Sequence, residues 1–185
     1  MKRLILCAAA AALMSACSSM PTGEAAAVAT AAMDQPAPSA AEYTRMAAAS
    51  DLYEIQSSQL VMQSANADLR RFAGMMVEHH TMTTAALTRA AQAAGMTPPA
   101  PALDTRKADM IRQLQSAQGA ARDSLYMQQQ VMAHQEALTL HTSYSRNGDT
   151  PELKTAATAA VPIVARHYNE ITAMQRSGGG GHAGH

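Results

Sequence analysis

The sequence predicts an all-α protein, a four-helix bundle with a short extra helix between its second and third helices. Three observations point there. Hydrophobic residues make up 48% of the chain, many of them Ala and Met, while aromatics reach only 3% with one Phe and no Trp. Strands would want more Val, Ile, Tyr and Phe. Start and stop signals divide the chain into four long segments of matched length, about 26 residues or 39 Å at the helical rise. Within each segment, apolar residues recur at spacings of three and four.

The elements follow in order. Lys2 and Arg3 precede an apolar run, Leu4 to Met14, that ends in the small residues Ser15-Ala16-Cys17. A run of about 11 residues is too short for a membrane span, which needs roughly 20, so residues 1–16 are expected to be an export signal. Leu13-Met14-Ser15-Ala16-Cys17 resembles a bacterial lipobox, with Met14 where leucine is usual. That resemblance implies lipidation of Cys17, and Ser18 with no aspartate beside it favours the outer membrane, the folded part hanging in the periplasm. The alternative is an ordinary secretory signal and a soluble periplasmic or secreted protein. Residues 17–39, rich in Ala, Ser, Pro, Thr and Gly, are expected to be a disordered tether, residues 40–175 the helical domain, and the Gly/His-rich 176–185 a disordered tail.

Inside the domain the first main helix is expected over Ala40 to Ala65, where Asn66 and Asp68 can cap the next. The second runs from Ala67 to Ala94 and stops at Gly95 before Pro98, Pro99 and Pro101. Asp104 or Thr105 opens the short extra helix, and Gly119 divides it from a third main helix reaching about Arg146. Asn147-Gly148 ends that one, and Asp149-Thr150-Pro151-Glu152 supplies cap, N-terminal proline and first-turn acid for the fourth. Pro162 is expected to kink it.

Charge and cysteine usage exclude several functions. The chain carries 14 basic and 14 acidic residues, and loss of Lys2 and Arg3 with the signal leaves 12 against 14. Such a chain has no basic stripe for nucleic acid. Cys7 leaves with the signal and Cys17 is consumed by lipid, so no thiol remains for a disulfide, a zinc-thiolate site or a nucleophile. No Ser-His-Asp spacing or glycine-rich phosphate loop supports catalysis, and the protein is expected not to be an enzyme.

The inward stripes contain polar residues. They include Glu54 in the first main helix, His80 in the second, His134 and His141 in the third and His167 in the fourth. Counted from the turn near Asn66, Glu54 and His80 lie about 18 and 21 Å deep and should share a layer, with His134 near mid-helix. His167 is placed less tightly. A buried polar group without a partner costs roughly 1 to 3 kcal/mol, so these groups need one another or a guest. The run MMVEHHTM, Met75 to Met82, adds His79 at the edge of the layer. His141 stands about 10 Å from His134 along the axis, too far to share one ion, and reads as a core histidine.

The motif segments, in order, are Tyr43 to Leu60 with the inward Glu54, RFAGMMVEHH from Arg71 to His80, GAARDSLYMQQQVMAH from Gly119 to His134, and LKTAATAAVPIVARH from Leu153 to His167. Together they resemble the ferritin-like family known as domain of unknown function 4142, associated with bacterial outer membrane proteins. The resemblance covers about Ala40 to Met174 and implies a ferritin-like bundle and an envelope location, but no reaction. Two positions depart from it: His79 stands where the family usually has an acid, and Arg122 where it has phenylalanine. The stretch MMVEHHTM also resembles the His-His motif of a small periplasmic family associated with copper, whose other motifs are unmatched.

Di-iron bundles use Glu-x-x-His motifs, and this chain contains none, which argues against ferroxidase or oxygenase chemistry. Two roles remain for His80, His134, His167 and Glu54, with His79 as a weaker fifth. They form a structural hydrogen-bonded cluster in a non-catalytic envelope lipoprotein, or they bind one transition-metal ion, Cu, Zn or Fe, in a periplasmic binding or buffering protein. An oxidoreductase would further require a redox metal with open positions. The expected partner is the membrane, through the lipid; the sequence identifies no protein partner.

Overall fold

The computed structural model describes residues 23–98 and 100–179; the expected export signal, Cys17, Pro99, His182 and His185 lie outside the described residues. Among the described residues the chain is helical without strands: α1 (Glu24–Ala32), α2 (Ala40–Gln59), α3 (Ala67–Ala93), α4 (Thr105–Ser116), α5 (Gly119–Asn147) and α6 (Pro151–Gly179). None is long and apolar enough to cross a membrane.

Side-chain caps set three of the starts. Ser39 accepts from the Glu42 N–H, Asn66 from those of Asp68 and Leu69, and Asp104 from that of Lys107. Each satisfies donors that the first helical turn leaves without a carbonyl. At the end of α3, Gly95 takes φ 72°. Its N–H bonds the Gln92 carbonyl and the Met96 N–H the Ala91 carbonyl, a Schellman closure that favours glycine at this left-handed position.

The structure corrects three boundaries. The first main helix, α2, stops at Gln59 rather than Ala65, because Leu60 and Val61 donate to the Ser57 and Ser58 carbonyls in tighter turns that bury Val61. The expected tail begins inside α6, which continues to Gly179. The expected tether contains α1, whose Ala25, Ala29 and Ala32 are buried. With hardly any large apolar residue, the segment reads as linker. Yet alanine is the strongest helix former, and alanines four and three apart make a narrow stripe that lets α1 lie close on Leu138, Val164, Ala165 and Tyr168. Polar contacts pin both its ends: Asn169 Oδ1 accepts from the Ala25 N–H at 3.1 Å, Arg176 pairs with Glu24 at 2.8 Å, and Asn147 Nδ2 donates to the Met33 and Gln35 carbonyls.

The four long helices pack α2 on α3, α3 on α6, α6 on α5 and α5 on α2, with α1 lying on α5 and α6 and α4 on α2 and α5. One end of this assembly is closed by Tyr43, Leu87, Ala91, Tyr144 and Leu153. The other is closed by Val61, Leu69, Phe72, Tyr126 and Ile171. The start of α2 therefore meets the ends of α3 and α5, and each packed pair runs antiparallel. The end of α3 and the start of α5 lie at opposite ends, so residues 94–118, α4 included, carry the chain back along the full length. Between the two apolar ends lies a polar layer.

Gly148 is fixed by space. A Cβ there would lie 2.6 Å from the Tyr144 carbonyl oxygen and 2.6 Å from its ring. That ring cannot yield, because it stacks on Tyr43 at 3.8 Å between centroids and its hydroxyl donates to Asp149. Gly148→Ala is expected to destabilise the protein by about 1–3 kcal/mol through overpacking, read as a lower urea midpoint with an unchanged slope. An unshifted midpoint would show that the end of α5 relaxes freely.

Candidate metal centre

Each long helix delivers one residue to the polar layer: Glu54 from α2, His80 from α3, His134 from α5 and His167 from α6. Glu54, His134 and His167 are 0% exposed and His80 2%. One nitrogen from each histidine lies within 4.8 Å of the other two. The rings stand edge-on or tilted to one another, with centroids 5.3 to 5.8 Å apart. Glu54 Oε1 comes within 3.7 Å of His134 Nδ1, beyond a hydrogen bond.

The outer nitrogen of every ring is engaged, and that fixes the inner one. His80 Nδ1 is 2.8 Å from Asp51 Oδ1, and Thr84 Oγ1 donates to Asp51 Oδ2 at 3.0 Å. Asp51 can only accept, so Nδ1 carries a proton. His134 Nδ1 is 2.9 Å from the Gln130 carbonyl, again an acceptor, and must also carry one. His167 Nε2 lies 2.8 Å from His79 Nδ1, the two rings parallel within 4°. Arg166 points an N–H at the same His79 Nδ1 at 3.1 Å. A guanidinium only donates, so His79 Nδ1 is the acceptor and His167 Nε2 holds the proton.

What remains faces inward. His80 Nε2, His134 Nε2, His167 Nδ1 and both Glu54 carboxylate oxygens are buried without any hydrogen-bond partner. Neutral imidazole has one donor and one acceptor, so the three nitrogens are lone-pair carriers within reach of one another, and the Glu54 oxygens are buried in the same layer, Oε1 on the Nδ1 side of His134. Gln130, beside Glu54, gives its Nε2 to Ser57 Oγ at 3.0 Å.

Burial dominates the electrostatics. It raises the Glu54 carboxyl to about 7, with His80 and Gln130 pulling it back. It lowers His134 to about 3, helped by the charge of His80, and lowers His167 further in the same direction, helped by His134 and His80. Burial also works against the charged form of His80, but the hydrogen bond and charge of Asp51 outweigh it and the pKa rises. His134 and His167 therefore stay neutral.

The residues singled out in the sequence thus meet: His80, His134, His167 and Glu54 in one layer, with His79 half-buried behind His167. His141 sits apart, its Nδ1 3.0 Å from the Tyr43 hydroxyl. Sequence reasoning missed Asp51. Its inward stripe ran through Ser50 and Glu54, although Asp51 lies one turn before Glu54, a spacing that places both on one helix face. It also missed Arg166, whose role depends on a neighbour 87 residues away.

Among known families, a family model described as "Domain of unknown function (DUF4142)" matches residues 25–174, which takes in α1, the four long helices and the whole layer. No curated protein and no solved structure matches the chain.

Removing one partner of a buried ion pair leaves the other uncompensated. Asp51→Ala is expected to destabilise the metal-free protein by about 3–5 kcal/mol, measured by chemical denaturation in chelator. A loss within experimental error would show that His80 does not depend on Asp51.

Proposed function

The chain belongs to the DUF4142 family, and we propose that in this member the layer formed by Glu54, His80, His134 and His167 binds a single divalent transition-metal ion. One observation carries the reading: three buried imidazole nitrogens from α3, α5 and α6 lie within 4.8 Å of one another with no donor, and both oxygens of Glu54 from α2 are buried in the same layer without one. Left so, each costs roughly 1–3 kcal/mol. A cluster built only to fix helix register would pair its members with one another, as Asp51 and His80 do. A cation answers the three nitrogens at once, and the Glu54 carboxylate in the same layer balances part of its charge.

The chemistry of the donors narrows the ion. Three imidazole nitrogens and a carboxylate suit Zn(II), Cu(II) or Fe(II) and not Ca(II) or Mg(II), which want oxygen. The buried Asp51 and Glu54 together balance a charge of two. The Asp51 bond to His80 Nδ1 is the orienting contact that metal-bound histidines usually have. Closure around the ion needs the ring nitrogens to approach somewhat, since metal–nitrogen bonds are about 2.0–2.1 Å long.

This ion is held rather than used. Its ligand atoms lack solvent exposure, and the chain has no Glu-x-x-His pair to build a second position, so binding or buffering fits better than turnover. The antiparallel helix pairs and the single long return between α3 and α5 support a ferritin-like four-helix bundle. The basic start, short apolar run and Leu13–Cys17 motif support a bundle tethered through lipidated Cys17 to the periplasmic side of the outer membrane.

The test is metal content. The full chain, with His182 and His185 replaced by alanine and isolated without chelator, is expected to carry about one Zn, Cu or Fe. His80→Ala and His134→Ala are expected to lose it. Adding the ion at 100 times its Kd should stabilise the metal-free protein by about 2.7 kcal/mol. No bound metal, together with no stabilisation by Zn(II), Cu(II) or Fe(II), would overturn the reading.

A further inference from the structure

A buried site needs an entrance, and three observations locate one. The three inward nitrogens and the Glu54 oxygens are sealed from solvent, so a hydrated ion cannot reach them without a movement. The helices that pack outside the four, α1 and α4, lie on α5–α6 and on α2–α5, leaving the α3–α6 seam outside their main contacts. In that seam His79, half-buried, stacks on His167 with centroids 5.0 Å apart and covers it.

The surroundings of His79 are those of a capture point. Glu78 and Glu170, both exposed, act on its ring electrostatically. Exposed Arg166 lies 3.1 and 3.4 Å from its two nitrogens. The other opening near the layer is a cavity of about 270 Å³ that reaches Asp51. Its walls carry Asp51 and His141 but are otherwise largely apolar, with Ala47, Leu87 and Ile163 among them, and include the cationic Arg89. Apolar walls and a guanidinium both oppose the passage of a hydrated cation.

We propose that His79 is the entry ligand of the centre, taking the ion from solvent and passing it to His167, and that Arg166 is the stopper it displaces. This rests on the metal-binding reading above. An ion arriving between Glu78 and Glu170 repels the Arg166 guanidinium and exchanges one water for a His79 nitrogen. The side chain of His79 then swings off His167 and opens the slot it had covered. The metal–His79 bond breaks as a bond to His167 Nδ1 forms. That nitrogen already bears a lone pair, so no proton or electron moves. Release follows the same path backwards.

A group that only lowers a barrier changes both rates equally and leaves their ratio, Kd, unchanged. The experiment follows Co(II), a spectroscopic probe for such sites, by stopped-flow absorbance with the full chain carrying His182→Ala and His185→Ala. Uptake and chelator-driven release are compared for the parent, His79→Ala, His79→Phe and Arg166→Gln. His79→Phe keeps a ring stacked on His167 but removes its nitrogens. Both His79 variants are expected to bind one equivalent with uptake slowed by about tenfold or more, a change that loss of the orienting contact to His167, which acts on Kd through release, does not produce. Arg166→Gln is expected to speed both. Equal rates in parent and His79 variants would overturn the entry role, and a weaker Kd with unchanged uptake would make His79 a positioning residue for His167 instead. A parent that takes up no Co(II), Zn(II), Cu(II) or Fe(II) would sink the metal reading itself.

Discussion

The 2.8 Å hydrogen bond between His80 Nδ1 and Asp51 Oδ1 ties α3 to α2 at mid-height, and the rest of the interior is arranged around it. A slip of one helix along the other by a turn, about 5.4 Å, would break it and leave a buried carboxylate alone. The register of the first helix pair is therefore held at one point by charge. The same bond decides which nitrogen of His80 carries a proton, and so turns Nε2 toward His134 and His167. Thr84, bonded to the other Asp51 oxygen and to the His80 carbonyl, keeps the carboxylate from rotating away.

A polar layer through the middle of a small helical protein is destabilising by itself, and the apolar ends offset it. At one end Tyr43 and Tyr144 stack at 3.8 Å. At the other Phe72 meets Tyr126 edge-on at 6.5 Å and reaches down to His167 at 6.3 Å. The tyrosines also bring their own partners: Ser58 for Tyr126, Gln129 for Tyr53, His141 for Tyr43. Of the seven buried side-chain atoms without a partner among the described residues, five belong to the four layer residues, with Gln130 Oε1 and Thr142 Oγ1 the others. That concentration is what distinguishes a prospective binding site from scattered packing defects.

Helix α1 changes how the domain meets whatever lies before it. Residues that composition assigns to a linker are buried against α5 and α6, so the folded part begins earlier than composition suggests. It ends at Gly23, with Glu24 paired to Arg176 near the far end of α6. A lipid at Cys17 would hold that end of the helices toward the membrane, and the polar layer about half their length away from it.

The sequence by itself determined five of the six described helices and most of the inward residues, because both depend on neighbours within a few positions. Caps at Asn66 and Asp104, the stop at Gly95 and the proline start at Pro151 are local chemistry. The spacing that turns His80, His134 and His167 inward is local geometry. The Glu54–His80 layer followed from equal distances to one turn. Tertiary structure alone decided what those residues face. Asp51 became the partner of His80, and His79 and Arg166 the pair that fixes the His167 proton, because folding brought together side chains 29 and 87 positions apart. Spacing along one helix holds no information about the rotation of another. The alanine stripe of α1 was equally hidden: alanine adds too little apolar surface to announce burial, and only the packed neighbours reveal which face is covered.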